Sequence, residues 1–165
     1  MKEYSIYSFK YPTYEIYFIN YIDIKDGVVL NNGKILFFDN LEDCLKYTEN
    51  NNIYIERGEI DFTDKDPYFI KISDIIKSLE NKKDLEKNKK IILTFLNITE
   101  DMYYSIGRKF VGKKKRYDII YKKMTYSSTF LGKGKNYPLT SKEKRMVRKL
   151  IRTGLYFLNE QISQF

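Results

Sequence analysis

Histidine is absent from the 165 residues, and that omission excludes more chemistry than any other feature of the chain. Without an imidazole there is no Ser-His or Cys-His pair to activate a nucleophile. The commonest general base near neutral pH is missing, and nearly all catalytic zinc sites are ruled out. Catalysis would fall to Asp, Glu, Lys or Tyr, and no pair of carboxylates stands apart from the solvated ones, so no catalytic residue is nominated. Tryptophan is missing too, and a single cysteine, Cys44, excludes an internal disulfide. Cys44 falls at an apolar position of an expected helix, where a thiol packs as a small hydrophobe. No stretch nears the roughly 18 apolar residues of a spanning helix, and Met1-Lys2-Glu3 runs into alternating Tyr and Ile instead of a signal-peptide core. The expectation is a cytoplasmic protein with no membrane contact, no cofactor and no small-molecule substrate.

What the chain does have is aromatic and charged. It carries 16 Tyr and 11 Phe, and 42% hydrophobic residues beside 32% charged ones, enough apolar matter for a packed core. The net charge of +8 is unevenly spread. Residues 1–107 carry 14 Lys/Arg against 19 Asp/Glu, whereas residues 108–165 carry 16 against 3 (Asp118, Glu143 and Glu160), a local net of +13. A positive field confined to the C-terminal third suits an acidic partner, either nucleic acid or the acidic face of a protein.

Period-two alternation from Tyr4 to Ile24, broken at Tyr11-Pro12-Thr13, reads as the start of a β-meander, with Asp26-Gly27 and Asn32-Gly33 as turn signals. Further strands are expected at Val28 to Leu30, Ile35 to Phe38, Ile53 to Ile55, Glu59 to Phe62 and Tyr68 to Ile72. Asp39 or Asn40 caps a short helix to about Asn50 with Leu41, Cys44 and Leu45 as its buried stripe, and Ser73 caps another carrying Ile75, Ile76 and Leu79. Asn81 to Lys90 reads as a solvated connection. From Ile91, apolar residues at three- and four-residue spacing predict a helix capped by Gly107, with a strand at Ile91 to Leu96 as the competing reading. Asp118 to Met124 is a shorter helix, and Ser127 to Tyr137 a loop or hairpin. Thr140-Ser141-Lys142-Glu143 is a capping box opening a long amphipathic helix. The fold class is α+β: a mostly antiparallel N-terminal sheet with short helices, then a helical C-terminal half. The chain reads as one unit, 1–165; if it divides, the parts are an α+β layer over 1–80 and a basic helical layer over 85–165.

Gly107-Arg108-Lys109-Phe110-Val111-Gly112-Lys113-Lys114 nearly spells a phosphate-binding loop but lacks the final Ser or Thr that would hold magnesium, and a helix precedes it where a strand is required. Asp61, Asp64 and Asp66 lack the turn glycine of a calcium loop, Pro67 standing in its place. The strongest concentration of interaction chemistry is Lys113-Lys114-Lys115-Arg116 with Arg108 and Lys109, interleaved with Phe110, Tyr117 and Tyr121. Cations there could neutralise phosphates while rings stack bases, or the rings could pack inward beneath a solvated loop.

Three segments, Asn31 to Tyr47, Phe95 to Met102 and Tyr117 to Met124, together with the Pro-preceded capped helix at Tyr137-Pro138-Leu139-Thr140, resemble the immunity proteins of bacterial contact-dependent inhibition and related polymorphic toxin systems. The resemblance implies a cytosolic inhibitor that occupies one cognate toxin domain stoichiometrically, with no turnover. Inhibitors of nucleic-acid-cutting toxins are often acidic mimics of the substrate, and the +13 C-terminal third departs from that pattern. Its candidate contact residues are Arg108, Lys109, Lys113, Lys114, Lys115 and Arg116, then Lys133, Lys135 and Tyr137. The alternative is a nucleic-acid-binding accessory or anti-defence protein of a mobile element or phage.

Overall fold

Two long strands open the fold because both faces of their sequence are apolar, the pattern of a sheet covered on each side. The computed structural model describes residues 2–55, 68–128 and 137–165, apart from the side chains of Lys82, Lys113, Ser127 and Ser128. Strands β1 (Glu3–Lys10) and β2 (Glu15–Ile22) pair antiparallel without a break, from Glu3 opposite Ile22 to Lys10 opposite Glu15. Phe9, Ile16 and Phe18 point to one face, while Ile6 and Ile19 point to the other. Along the outer edge of β2 lie β3 (Gly27–Val28) and β6 (Phe37–Phe38), and between them in sequence β4 (Leu30–Asn31) and β5 (Lys34–Ile35) form a separate hairpin. Its turn is the expected Asn32-Gly33, with φ of 51° and 78°, as a primed turn requires.

Helix α1 (Leu41–Asn50) starts where Asn40 Oδ1 accepts a hydrogen bond from the Asp43 N–H at 2.9 Å. It lays Cys44 against Ile6 and Ile19 on one face of the sheet, and burial pushes the thiol up to about 12, so Cys44 is packed and unreactive. On the other edge, β7 (Phe69–Lys71) joins β1 in parallel, Ser8 opposite Phe69, which makes the mostly antiparallel sheet a mixed one. Ile55 adds a single parallel bridge to Tyr4, and the strand expected at Glu59 to Phe62 lies outside the described residues.

Helix α2 (Ile72–Glu80) follows β7 directly. Ser73 is not its cap: Lys71, still paired with Lys10 of β1, occupies that position without a side-chain bond, so the end of the sheet sets the helix start. The charged run 81–90 is not simply solvated either. It contains α3 (Lys82–Lys87), capped by Asn81, because Leu85 is fully buried and holds the turn against the core. Helix α4 (Lys89–Ser105) then crosses the sheet, and the strand alternative at Ile91 to Leu96 is set aside. Phe95 meets Phe9 edge-on with centroids 6.2 Å apart. At its far end Asn20 Nδ2 donates to Asp101 Oδ2 at 3.2 Å and the Val28 N–H donates to Ser105 Oγ at 2.8 Å.

Helices α5 (Asp118–Ser128) and α6 (Ser141–Ile162) complete the C-terminal half, with most of the expected Ser127 to Tyr137 loop outside the described residues. Helix α6 runs in the same direction as α4. Lys144 meets Glu86 just ahead of α4 at 2.9 Å, the Phe157 ring stacks on Tyr103 at 3.9 Å, and Glu160 pairs with Arg108 just beyond α4 at 3.1 Å. The capping box is complete: Thr140 Oγ1 accepts from the Glu143 N–H at 3.2 Å and Glu143 Oε2 accepts from the Thr140 N–H at 2.7 Å. Thr140→Ala is expected to cost about 1 kcal/mol, read as a lower urea midpoint at unchanged slope. Among the described residues no helix is long and apolar enough to cross a membrane.

Candidate partner-binding surface

The basic loop after α4 is fixed at both ends by its own aromatic residues. Gly107, at φ 74°, ends α4: its N–H donates to the Tyr104 carbonyl at 2.9 Å and the Arg108 N–H to the Tyr103 carbonyl at 2.8 Å. This pair of bonds is the left-handed helix stop that glycine adopts most easily. Phe110 then plugs the core 5.2 Å from the Tyr103 ring, and Tyr117, seven residues on, is buried as well. Between these anchors the chain makes two single 3-10 turns, Val111–Lys113 and Lys115–Tyr117. Burial pushes the Tyr121 hydroxyl well above the usual tyrosine range. Phe110 and Tyr117 are therefore anchors beneath the cations and offer no face for stacking a base, and Tyr121 is half-buried beside them.

The cations above them differ in kind. Arg108 is a clamp: it pairs with Glu160 at 3.1 Å, its guanidinium carbon 5.8 Å from the Phe157 ring centroid. Arg116 lies across its neighbour Tyr117, 5.0 Å from the ring centroid. Lys109, Lys114 and Lys115 are exposed and have no ion-pair partner among the described residues. The side chain of Lys113 is not described, and Lys133 and Lys135 lie outside the described residues. Tyr137 does not join this group. Its carbonyl accepts from Lys89 Nζ at 2.8 Å, at the end of α4 opposite Arg108 and Lys109, a helix length of roughly 25 Å at 1.5 Å per residue, whereas Arg116 reaches back to line a groove with Thr140 and Lys142.

Arg108, Lys109 and Lys114 border a groove of about 580 Å³ whose floor is Phe110, Val111 and Tyr104, with Glu100 on its wall. Tyr104 is 45% exposed, and the Lys25 ammonium lies 5.1 Å from its ring centroid, which brings the β2–β3 turn to the groove's edge. That turn carries Ile24, 97% exposed. Sequence reasoning passed over both apolar residues. Tyr104 falls off the buried stripe of α4, and Ile24 shows only as an apolar residue isolated between Asp23 and Lys25.

A second group of charges holds the helices in place. Glu86 lies between Lys89 and Lys144 and accepts the Leu139 N–H at 3.1 Å. Burial alone would raise its carboxyl, but the bonds from Lys89, Lys144 and Leu139 prevail and hold it below the usual carboxylate range. Glu143 behaves alike, burial being overcome by Lys123, which reaches both oxygens at 2.9 Å, and by Thr140. These carboxylates are structural. Among the described residues no three His, Cys, Asp or Glu side chains gather as a metal-binding group.

Compared with protein-family models, curated proteins and solved structures, the chain matches none.

Proposed function

We propose that this chain is a cytoplasmic immunity protein that binds and neutralises a cognate bacterial toxin domain stoichiometrically, without catalysis or cofactor. The observation that carries the reading is the groove at the end of α4: an apolar floor bordered by unpaired lysines, with the turn that carries exposed Ile24 reaching its edge through Lys25. Protein interfaces combine a desolvated apolar centre with a charged rim, the centre supplying affinity and the rim capture rate and partner choice. Glu100 in the groove wall, with Asp23 and Asp26 in the turn at its edge, is unfavourable to a phosphate backbone, and Phe110 and Tyr117 of the loop are buried, so a protein partner suits this groove better than nucleic acid. The resemblance of the 31–47, 95–102 and 117–124 segments to immunity proteins points the same way.

The test begins with capture of the tagged chain's partner from nuclease-treated host extract, followed by co-expression of the captured domain with and without the chain. The expected result is one equimolar protein partner whose expression stops growth unless the chain is present. Lys109→Glu/Lys114→Glu/Lys115→Glu should slow association by about tenfold or more. Nuclease-sensitive capture with no specific protein would overturn the reading in favour of nucleic-acid binding.

A further inference from the structure

The solvent face of α6 carries a separate charge pattern, remote in kind from the groove. Lys142, Arg145, Lys149 and Arg152 recur at intervals of three, four and three residues, which places them in one row over roughly 15 Å of helix. All four are exposed, and none has an ion-pair partner among the described residues. The helix's two carboxylates are used elsewhere, Glu143 by Lys123 and Glu160 by Arg108, so no acid interrupts the row. Like charges three or four residues apart destabilise a helix by about 0.2–0.5 kcal/mol per pair, and interleaved acids would have relieved that cost. One turn beyond Arg152 the same face presents Tyr156, 76% exposed.

We infer that this ridge binds single-stranded nucleic acid, the four cations following consecutive phosphates and Tyr156 stacking on a base. Row and ring together cover roughly 21 Å from Lys142 to Tyr156, within the span of the short sites that single-strand binders use. The row itself carries no apolar residue before Tyr156, the nearest apolar side chains being Ile119 and Met146 in the groove alongside, and an aromatic face beside a cationic track is the combination that single strands engage without sequence preference. Arg116 shares a groove with Lys142 and Lys149 and extends the positive field sideways.

The inference is independent of the toxin reading and is tested with the full chain and fluorescein-labelled dT15 and U15, by anisotropy between 50 and 200 mM NaCl. The logarithm of affinity should fall against the logarithm of salt with a slope near −3, about 0.7 for each of four phosphates neutralised. Arg145→Gln/Arg152→Gln should halve that slope, and Tyr156→Ser should weaken binding about fivefold or more with the slope unchanged. All three side chains are exposed, so the variants fold. Absence of saturable binding at 50 mM salt would overturn the inference, as would a slope insensitive to Arg145→Gln/Arg152→Gln. Equal competition by poly-glutamate of the same charge would reassign the ridge to an acidic protein.

Discussion

Gly154→Leu is expected to lower the melting temperature by roughly 6–12 °C, the shift that about 3 kcal/mol produces in a chain of this size. Gly154 is buried where α6 meets α4. A Cβ at this position would stand 2.9 Å from Phe95 Cε1, 3.1 Å from its Cζ and 3.3 Å from Thr99 Cγ2. Phe95 cannot swing aside: it is fully buried and backed by Phe9 of the sheet. Even Gly154→Ala, which gains about 1 kcal/mol in helix propensity, should come out destabilising by about 1 kcal/mol, because relieving the overlap must lift α6 from α4. Lifting it strains the Tyr103–Phe157 stack and the Arg108–Glu160 pair. A melting point unchanged or raised in Gly154→Ala would show that the two helices separate more freely than their packing implies.

The second large effect concerns Glu86. Glu86→Ala should cost about 3 kcal/mol, since it takes the counter-charge from Lys89, whose side chain is only 5% exposed and which keeps the Tyr137 carbonyl, and removes the acceptor for Lys144 and the Leu139 N–H. Lys89→Met should cost less, about 1–2 kcal/mol, because Glu86 then keeps Lys144 and Leu139 while a long apolar side chain occupies the buried path. The order of the two variants in urea unfolding is the test, and equal losses would mean that the pair acts as an isolated bridge. The acid limb follows the same logic. A carboxylate held below its ordinary value of 4.5 contributes stability that is present above that pH and is lost as pH falls through the folded-state value. Stability should therefore decline below about pH 4.5, and Glu86→Ala should make that decline shallower.

Much of the fold was legible in local sequence. Asn40, Asn32-Gly33, Gly107 and the Thr140–Glu143 box each act on backbone within a few residues, so their signals survive without tertiary context. What could not be read was set by partners distant in the chain. The parallel pairing of β7 with β1 joins residues about sixty apart, and it moves the start of α2 away from Ser73. Leu85 and Lys89 look like members of a charged run until a core and a buried carboxylate form around them. At the candidate surface, the lysines were visible as a run and the aromatic anchors as neighbours. The apolar floor of the groove exists only once Tyr104, Phe110 and Val111 come together beside the β2–β3 turn.

The shared direction of α4 and α6 gives the helical layer an electrical polarity. Two parallel helices align their peptide dipoles, doubling the positive potential at one end of the layer and the negative potential at the other. Glu86 lies at the end where both helices begin, and the Arg108 guanidinium at the end where both finish. Glu86 and Arg108 thus carry the sign their end favours, which offsets the repulsion of laying like ends side by side and makes up for the opposite sign of their partners Lys89, Lys144 and Glu160.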